Sequence, residues 1–227
     1  MNIRDMVFEE LAGYFMKEDY PASFNHEEFA NLRSFAERVR YCAQHLRKIG
    51  AGSARIVYEI DDKSVLKLAK NAKGIAQNEL EASLSNDYYI RDMVAQVFKT
   101  HPKDEWIEAE HAKRVTPTRF RELTGIDIKT LSTYLWKKHA ENKGRGKMGS
   151  EMTPEQLEMV ENNEFASTIL DLMLNYDMPS GDLSRISSYG EVNRNGQPEI
   201  VIIDYGLNDD VYQDHYAPKQ KASFSRY

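Results

Sequence analysis

An α+β fold is what this sequence predicts, and three observations carry the reading. Residues 49–69 and 94–110 break into short apolar runs separated by polar turns, which reads as strands. Residues 25–50, 71–84 and 165–174 instead repeat apolar side chains at three- and four-residue spacing, the period of an amphipathic helix. Further on, Glu191-Val192-Asn193 and Glu199 to Ile203 flank Asn195-Gly196. Asn-Gly is a strong hairpin signal, because both turn positions accept positive φ.

Composition bounds the rest. A chain of 227 residues can bury a sizeable core as one domain or one bilobal unit. Its net charge of −6 argues against broad nucleic-acid affinity, which needs a basic surface. No apolar run approaches a membrane span, and the start, Met-Asn-Ile-Arg-Asp, lacks a secretory apolar core. The single cysteine, Cys42, excludes an internal disulfide and cysteine-built metal clusters, and fits a reducing cytoplasm. It is expected to be a small buried thiol rather than a nucleophile.

In chain order, Met6, Val7, Leu11 and Phe15 suggest one helix ending near Tyr20-Pro21. Asn25 with Glu28 reads as a capping box opening a second helix, which Gly50 ends. Gly50-Ala-Gly52-Ser53-Ala54 then leads into Arg55 to Ile60, a turn at Asp61-Asp62-Lys63, and Ser64 to Leu68. Gly50 and Gly52 would let backbone amides approach a phosphate, although an ordinary hairpin explains them equally well. Lys67 shifts that balance. A lysine between Leu66 and Leu68 is unusual in a buried strand unless its ammonium meets an anion. Lys70, just outside the strand, is the solvated alternative. The helix from Asn71 offers Glu79 and Glu81 as partners, with Glu81 favoured because Glu79 could face solvent. Val94 to Lys99 and Trp106 to Glu110 complete a sheet of at least four strands, with a turn at His101 to Asp104.

Residues 117–164 are less patterned. Leu123, Ile128, Leu131 and Leu135 give a helical repeat, and Lys143-Gly-Arg-Gly-Lys147 reads as a basic loop rather than a docking site. Thr153-Pro154 can start another helix. Phe165, Ile169, Leu170, Met173 and Leu174 line the helix that delivers Asp182 in a polar loop. Because the Asn195-Gly196 hairpin returns on itself, Asp182 before it and Asp204 after it should lie at the same end. Gly206 would let the chain turn away at once.

Gly181-Asp182-Leu183 resembles the catalytic loop of small-molecule phosphotransferases, such as aminoglycoside phosphotransferases, in the protein-kinase superfamily. Asp204-Tyr205-Gly206, after Ile-Val-Ile-Ile, resembles the family's Asp-Phe-Gly metal-binding segment. The order of the two triplets, with the hairpin between them, is more specific than either alone. The resemblance spans roughly residues 49–110 and 165–210. It implies a bilobal protein-kinase-like fold: N-terminal helices at 1–48, a small antiparallel nucleotide-binding sheet lobe at 49–112, and a short, mostly helical lobe at 113–227. The short chain is also similar in style to kinase-like proteins of bacteriophages, which would place it in the host cytoplasm.

The resemblance further implies ATP and Mg²⁺ as cofactors. Asp182 would be the catalytic base, Asp204 would bind the metal, and Lys67 with Glu81 would position the phosphates. Gly50, Gly52 and Ser53 would cover those phosphates, and the backbone at Glu110 to Ala112 would receive the adenine. Two departures stand out. Ser187 occupies the position of a metal-binding asparagine, and Ser180 that of a frequent histidine. The sequence after Gly206 is also too short for the usual activation segment and the helices beyond it. The expected activity is transfer of the ATP γ-phosphate to a protein or small-molecule hydroxyl. The alternatives are a pseudokinase serving as a binding or inhibitor module, and a nucleotidyl transferase.

Overall fold

Five strands of the first half pair antiparallel in the order β1-β2-β3-β5-β4. They are β1 Arg47–Ala51, β2 Arg55–Glu59, β3 Ser64–Ala69, β4 Val97–Thr100 and β5 Trp106–Glu110. The computed structural model describes residues 20–144 and 152–217. The N-terminal helix expected through Phe15 and the end of the basic loop, 145–147, lie outside that range.

The sheet has one strand more than the minimum expected, because the chain is already extended at Arg47 before Gly50. The strand expected from Val94 starts only at Val97. Val94 bridges Ile202 in parallel and the Ala95 amide donates to the Ile202 carbonyl at 2.9 Å, so these residues join the second sheet. β3 is central, and its register sets Lys67 opposite Val57 on one side and Ile107 on the other.

Two helices replace the single one expected over 25–50: α1 His26–Asn31 and α2 Phe35–His45. The break has a local cause. Ser34 and Glu37 form the reciprocal capping box that starts α2, whereas Asn25 makes only the half in which its side chain accepts the Glu28 amide. Phe29, Tyr41 and Cys42 from these helices bury against Tyr58, Leu66, Leu68 and Trp106 of the sheet. Burial pushes the Cys42 thiol up to about 12, in keeping with a packed, unreactive group.

On the other face lies α3, Ala72–Ser85, capped by Asn71. A Cβ on Gly74 would meet the Ala54 carbonyl oxygen at 2.3 Å and Ala69 at 3.0 Å. The absence of a side chain there lets α3 sit against the sheet.

Helices dominate the second half: α4 Pro117–Thr124, α5 Ile128–Asn142, α6 Pro154–Glu161, α7 Glu164–Asn175, the single turn α8 Ser180–Leu183, and α9 Asp209–His215. Among them runs a three-stranded sheet, β6 Lys113–Arg114, β7 Tyr189–Arg194 and β8 Gln197–Ile202, in the order β6-β7-β8. Asn195 and Gly196 take φ of 55° and 79°, so the expected two-residue turn forms. Phe120, Phe165 and Tyr189 meet at ring distances of 5.1–6.0 Å in the core of this half. The chain is therefore α+β, with a sheet-based and a mostly helical part. Among the described residues no helix is long and apolar enough to cross a membrane.

Arg194 fastens the two parts together. Its guanidinium donates to the carbonyls of Asp92 and Val94 at 2.7 and 2.8 Å and pairs with Glu110 at 2.5 Å.

Candidate active site

Lys67 is 6% exposed and Glu81 0%, and Lys67 Nζ lies 2.6 Å from Glu81 Oε2. β3 delivers the lysine, and the close approach of α3 delivers the glutamate. Glu79 is exposed on the same helix, so Glu81 is the partner. The lysine also donates to the Ile203 carbonyl at 3.0 Å, which ties it to the residue preceding Asp204.

Glu81 carries a second cation that the sequence reading did not anticipate. Arg55 Nη2 lies 2.7 Å from Glu81 Oε1 and 3.2 Å from Asp204 Oδ1, while Nη1 reaches Asn78 Oδ1 at 3.4 Å. Burial opposes the charge on Glu81, but attraction and hydrogen bonds from Arg55 and Lys67 hold its carboxyl below the usual range. Burial lowers Lys67, and the nearby Arg55 charge adds to that against the pull of Glu81. One carboxylate shared by two cations leaves the lysine under-compensated.

The segment carrying Asp204 is set by its neighbours. Tyr205 is buried and its hydroxyl donates to the Ala95 carbonyl at 2.5 Å. Gly206 does not turn at positive φ as expected. A Cβ on it would meet the Gln77 carbonyl oxygen of α3 at 2.8 Å, so close packing accounts for the glycine. Asp204 itself is left open, its side chain 63% exposed.

Asp182 lies within the short helix α8 rather than in an irregular loop. The buried Tyr189 hydroxyl donates to the Leu183 carbonyl at 2.6 Å, and the Ile203 amide donates to the Ser188 carbonyl at 2.8 Å. Those two bonds bring Asp182, Ser187 and Asp204 to one end of the β7-β8 hairpin. Burial raises the Asp182 carboxyl and the neighbouring Asp204 charge raises it further, against Arg185 at 3.3 Å.

A cavity of about 350 Å³ opens here, lined among others by Gly52, Ser53, Arg55, Lys67, Ser187 and Asp204. That volume is in the range of small-ligand sites. Gly52 and Ser53 thus line the cavity, and the Gly52 amide closes its own turn on the Arg55 carbonyl at 2.9 Å. Lys70 Nζ and the Asn71 side chain hold the Gly52 and Ser53 carbonyls at 2.9 and 3.1 Å. Gly50 belongs to β1, where it pairs with the cavity-lining Val57 but does not itself line the cavity. Glu110 and Ala112 do not line it either. The Glu110 amide donates to the Gln96 carbonyl at 2.7 Å, and Ala112 packs against Gly190. Asp182 is beside the cavity rather than in its lining.

Tyr216 forms the remaining wall, also unforeseen. Its hydroxyl accepts from Gln77 Nε2 at 3.0 Å and Lys73 Nζ lies 4.2 Å from its ring centre. Among the described residues no group of three or more His, Cys, Asp or Glu side chains could hold a metal by itself. Asp204 and the Ser187 hydroxyl are nevertheless a donor set suited to Mg²⁺, which binds through one or two carboxylates and completes its shell with water and phosphate oxygens.

No protein-family model matches the chain, and no curated protein matches it in sequence. Among solved structures it is similar to the aminoglycoside phosphotransferase APH(2'')-Ib with ADP bound, at 11% identity over 77% of this chain and 71% of that one, TM-score 0.33. It is also similar to the gentamicin complex of APH(2'')-IIa, at 12% identity with the same coverages and TM-score 0.33. A third is SAICAR-synthase from Saccharomyces cerevisiae complexed with SAICAR, at 14% identity over 73% and 74%, TM-score 0.35. At such TM-scores the likeness carries no functional weight.

Proposed function

We propose that this chain is a kinase-fold phosphotransferase that binds ATP in the cavity between β2, β3 and Asp204 and transfers its γ-phosphate to a hydroxyl. One observation carries the proposal: Lys67, paired with the buried Glu81, lines the same cavity as the exposed Asp204 carboxylate. A buried cation facing an open carboxylate suits a phosphate accompanied by a metal ion.

Phosphoryl transfer depends mainly on positioning and charge neutralisation, and each group has a part in that. Lys67, fixed by Glu81, would contact phosphate oxygens. Asp204 and Ser187 would hold Mg²⁺, which when bound neutralises charge on the phosphates and lines up their oxygens. Asp182, with its raised pKa, would take the proton of the acceptor hydroxyl as its oxygen bonds to the γ-phosphorus and ADP departs. Glu110 and Ala112, which do not line the cavity, are given no part in this reading. The acceptor is a small molecule or a protein side chain.

The test is incubation with γ- and α-labelled ATP, Mg²⁺ and a lysate, beside Asp182→Asn. Transfer of the γ label by wild type and its loss in the variant is the expected result. Transfer of the α label instead would establish nucleotidyl transfer. Nucleotide binding without transfer of either label would establish a pseudokinase-type binding module.

A further inference from the structure

Arg55 has no part in the scheme above, yet it is the most constrained side chain in the cavity. It is the first residue of β2, directly after the Gly52–Ala54 turn, and its side chain is 9% exposed. Asn78 turns its oxygen toward the guanidinium because its own nitrogen donates to the Asp104 carbonyl at 2.8 Å. Glu81, fully buried, anchors the other side.

The contact with Asp204 differs from these. It is the longest of the three ion pairs in the cluster, at 3.2 Å, and it ends on an exposed carboxylate. Lys67 and Arg55 against Glu81 and Asp204 make a neutral group of four. A nucleoside triphosphate with one divalent ion still carries net negative charge, and the group can meet it by exchanging partners: Asp204 turns to the ion and Arg55 turns its freed N–H to a phosphate oxygen. Guanidinium is suited to this, being charged at any working pH and able to bind two phosphate oxygens at once. A second ion, by contrast, would find no further carboxylate in the cavity lining, Asp182 standing beside it as the base.

We infer that Arg55 is a phosphate ligand that takes the place of a second divalent cation, so that the site binds a nucleoside triphosphate with a single metal ion. This rests on the nucleotide-binding reading of the cavity.

The experiment uses the full chain with Mn²⁺ as the metal and a non-hydrolysable ATP analogue. Bound Mn²⁺ is counted by electron paramagnetic resonance and affinity is measured by calorimetry. Wild type is expected to hold one Mn²⁺ per bound analogue, with an affinity that excess Mn²⁺ does not raise. Arg55→Met should bind the analogue about 10- to 100-fold more weakly, the scale of losing hydrogen bonds to a charged group. High Mn²⁺ should restore part of that loss, which a purely structural arginine would not show. Arg55→Lys, which keeps the charge, should fall between the two and decides the matter if the methionine variant does not fold. Two Mn²⁺ ions in the wild-type complex, or Arg55 variants that fold and bind like wild type, would overturn the inference while leaving nucleotide binding intact. Wild type that binds no analogue at all would overturn both.

Discussion

Glu81 Oε2 stands 2.6 Å from Lys67 Nζ with no solvent reaching the carboxylate, and its second oxygen is held by Arg55. The glutamate is therefore a buried negative charge shared by two cations. Removing one member of a buried pair leaves an uncompensated charge, at a cost of about 3–5 kcal/mol. Glu81→Gln should lower the unfolding free energy measured in urea by an amount in that range, while Glu79→Gln, on the exposed face of the same helix, should change it little. Equal effects of the two would mean that solvent or Asp204 compensates Lys67 and Arg55.

Asp182 sets a pH dependence of definite sign. Its pKa is raised in the folded chain by burial and by Asp204. Between the ordinary aspartate value near 3.9 and that raised value, the folded state holds more protons than the unfolded. The Asp182 contribution to stability should therefore decline as pH rises through that window, so that wild type loses stability there relative to Asp182→Asn. In kcat/KM for phosphoryl transfer, the acid limb should lie above the ordinary aspartate range. Denaturation curves of both proteins from acid to neutral pH, with a pH–rate profile of wild type, check the two halves separately.

The glycines that mark this site matter through distance. Alanine at Gly74 would bring its methyl carbon to 2.3 Å from a backbone oxygen, and at Gly206 to 2.8 Å from another. Overpacking of this kind costs about 1–3 kcal/mol. Gly74→Ala, with the tighter contact, should destabilise the chain more than Gly206→Ala. Gly206→Ala acts next to Tyr205 and should mainly weaken nucleotide binding. Thermal melts with and without Mg-ATP distinguish these outcomes, since a ligand stabilises only the state it binds. Gly52, with open space where its Cβ would be, is the control for overpacking in the melts without nucleotide, since it lines the cavity.

What the sequence disclosed and what it hid follow from range. Lys67 was legible because a cation inside an apolar strand is a local anomaly, and the β7-β8 hairpin because Asn195-Gly196 determines a turn by backbone sterics alone. The juxtaposition of Asp182 and Asp204 then followed from the hairpin. Arg55 looked like an ordinary charge at a strand start, since its partners Glu81 and Asp204 lie 26 and 149 positions away. The ion pair of Glu110 with Arg194, 84 positions on, was hidden for the same reason. Tyr216 carries no local signal at all. It reaches the cavity because Asn208 caps α9 and the Asp209 amide is held by the Asp177 carbonyl at 3.1 Å.

That tyrosine provides the final prediction. Its ring borders the same space as Gly52, Ser53 and Asp204, held by Gln77 through the hydroxyl and by Lys73 over its face. The bond to Gln77 is worth about 1 kcal/mol and the cation–ring contact about the same or less, so the ring can be displaced. A wall of that strength should slow ligand uptake without deciding final affinity. Tyr216→Ala should raise the association rate constant of a fluorescent ATP analogue several-fold in stopped-flow mixing. Tyr216→Phe, which keeps the ring and loses only the Gln77 bond, should stay closer to wild type. Slower association in the alanine variant, or a faster dissociation with unchanged association, would mean that the ring contacts the bound nucleotide rather than narrowing its approach.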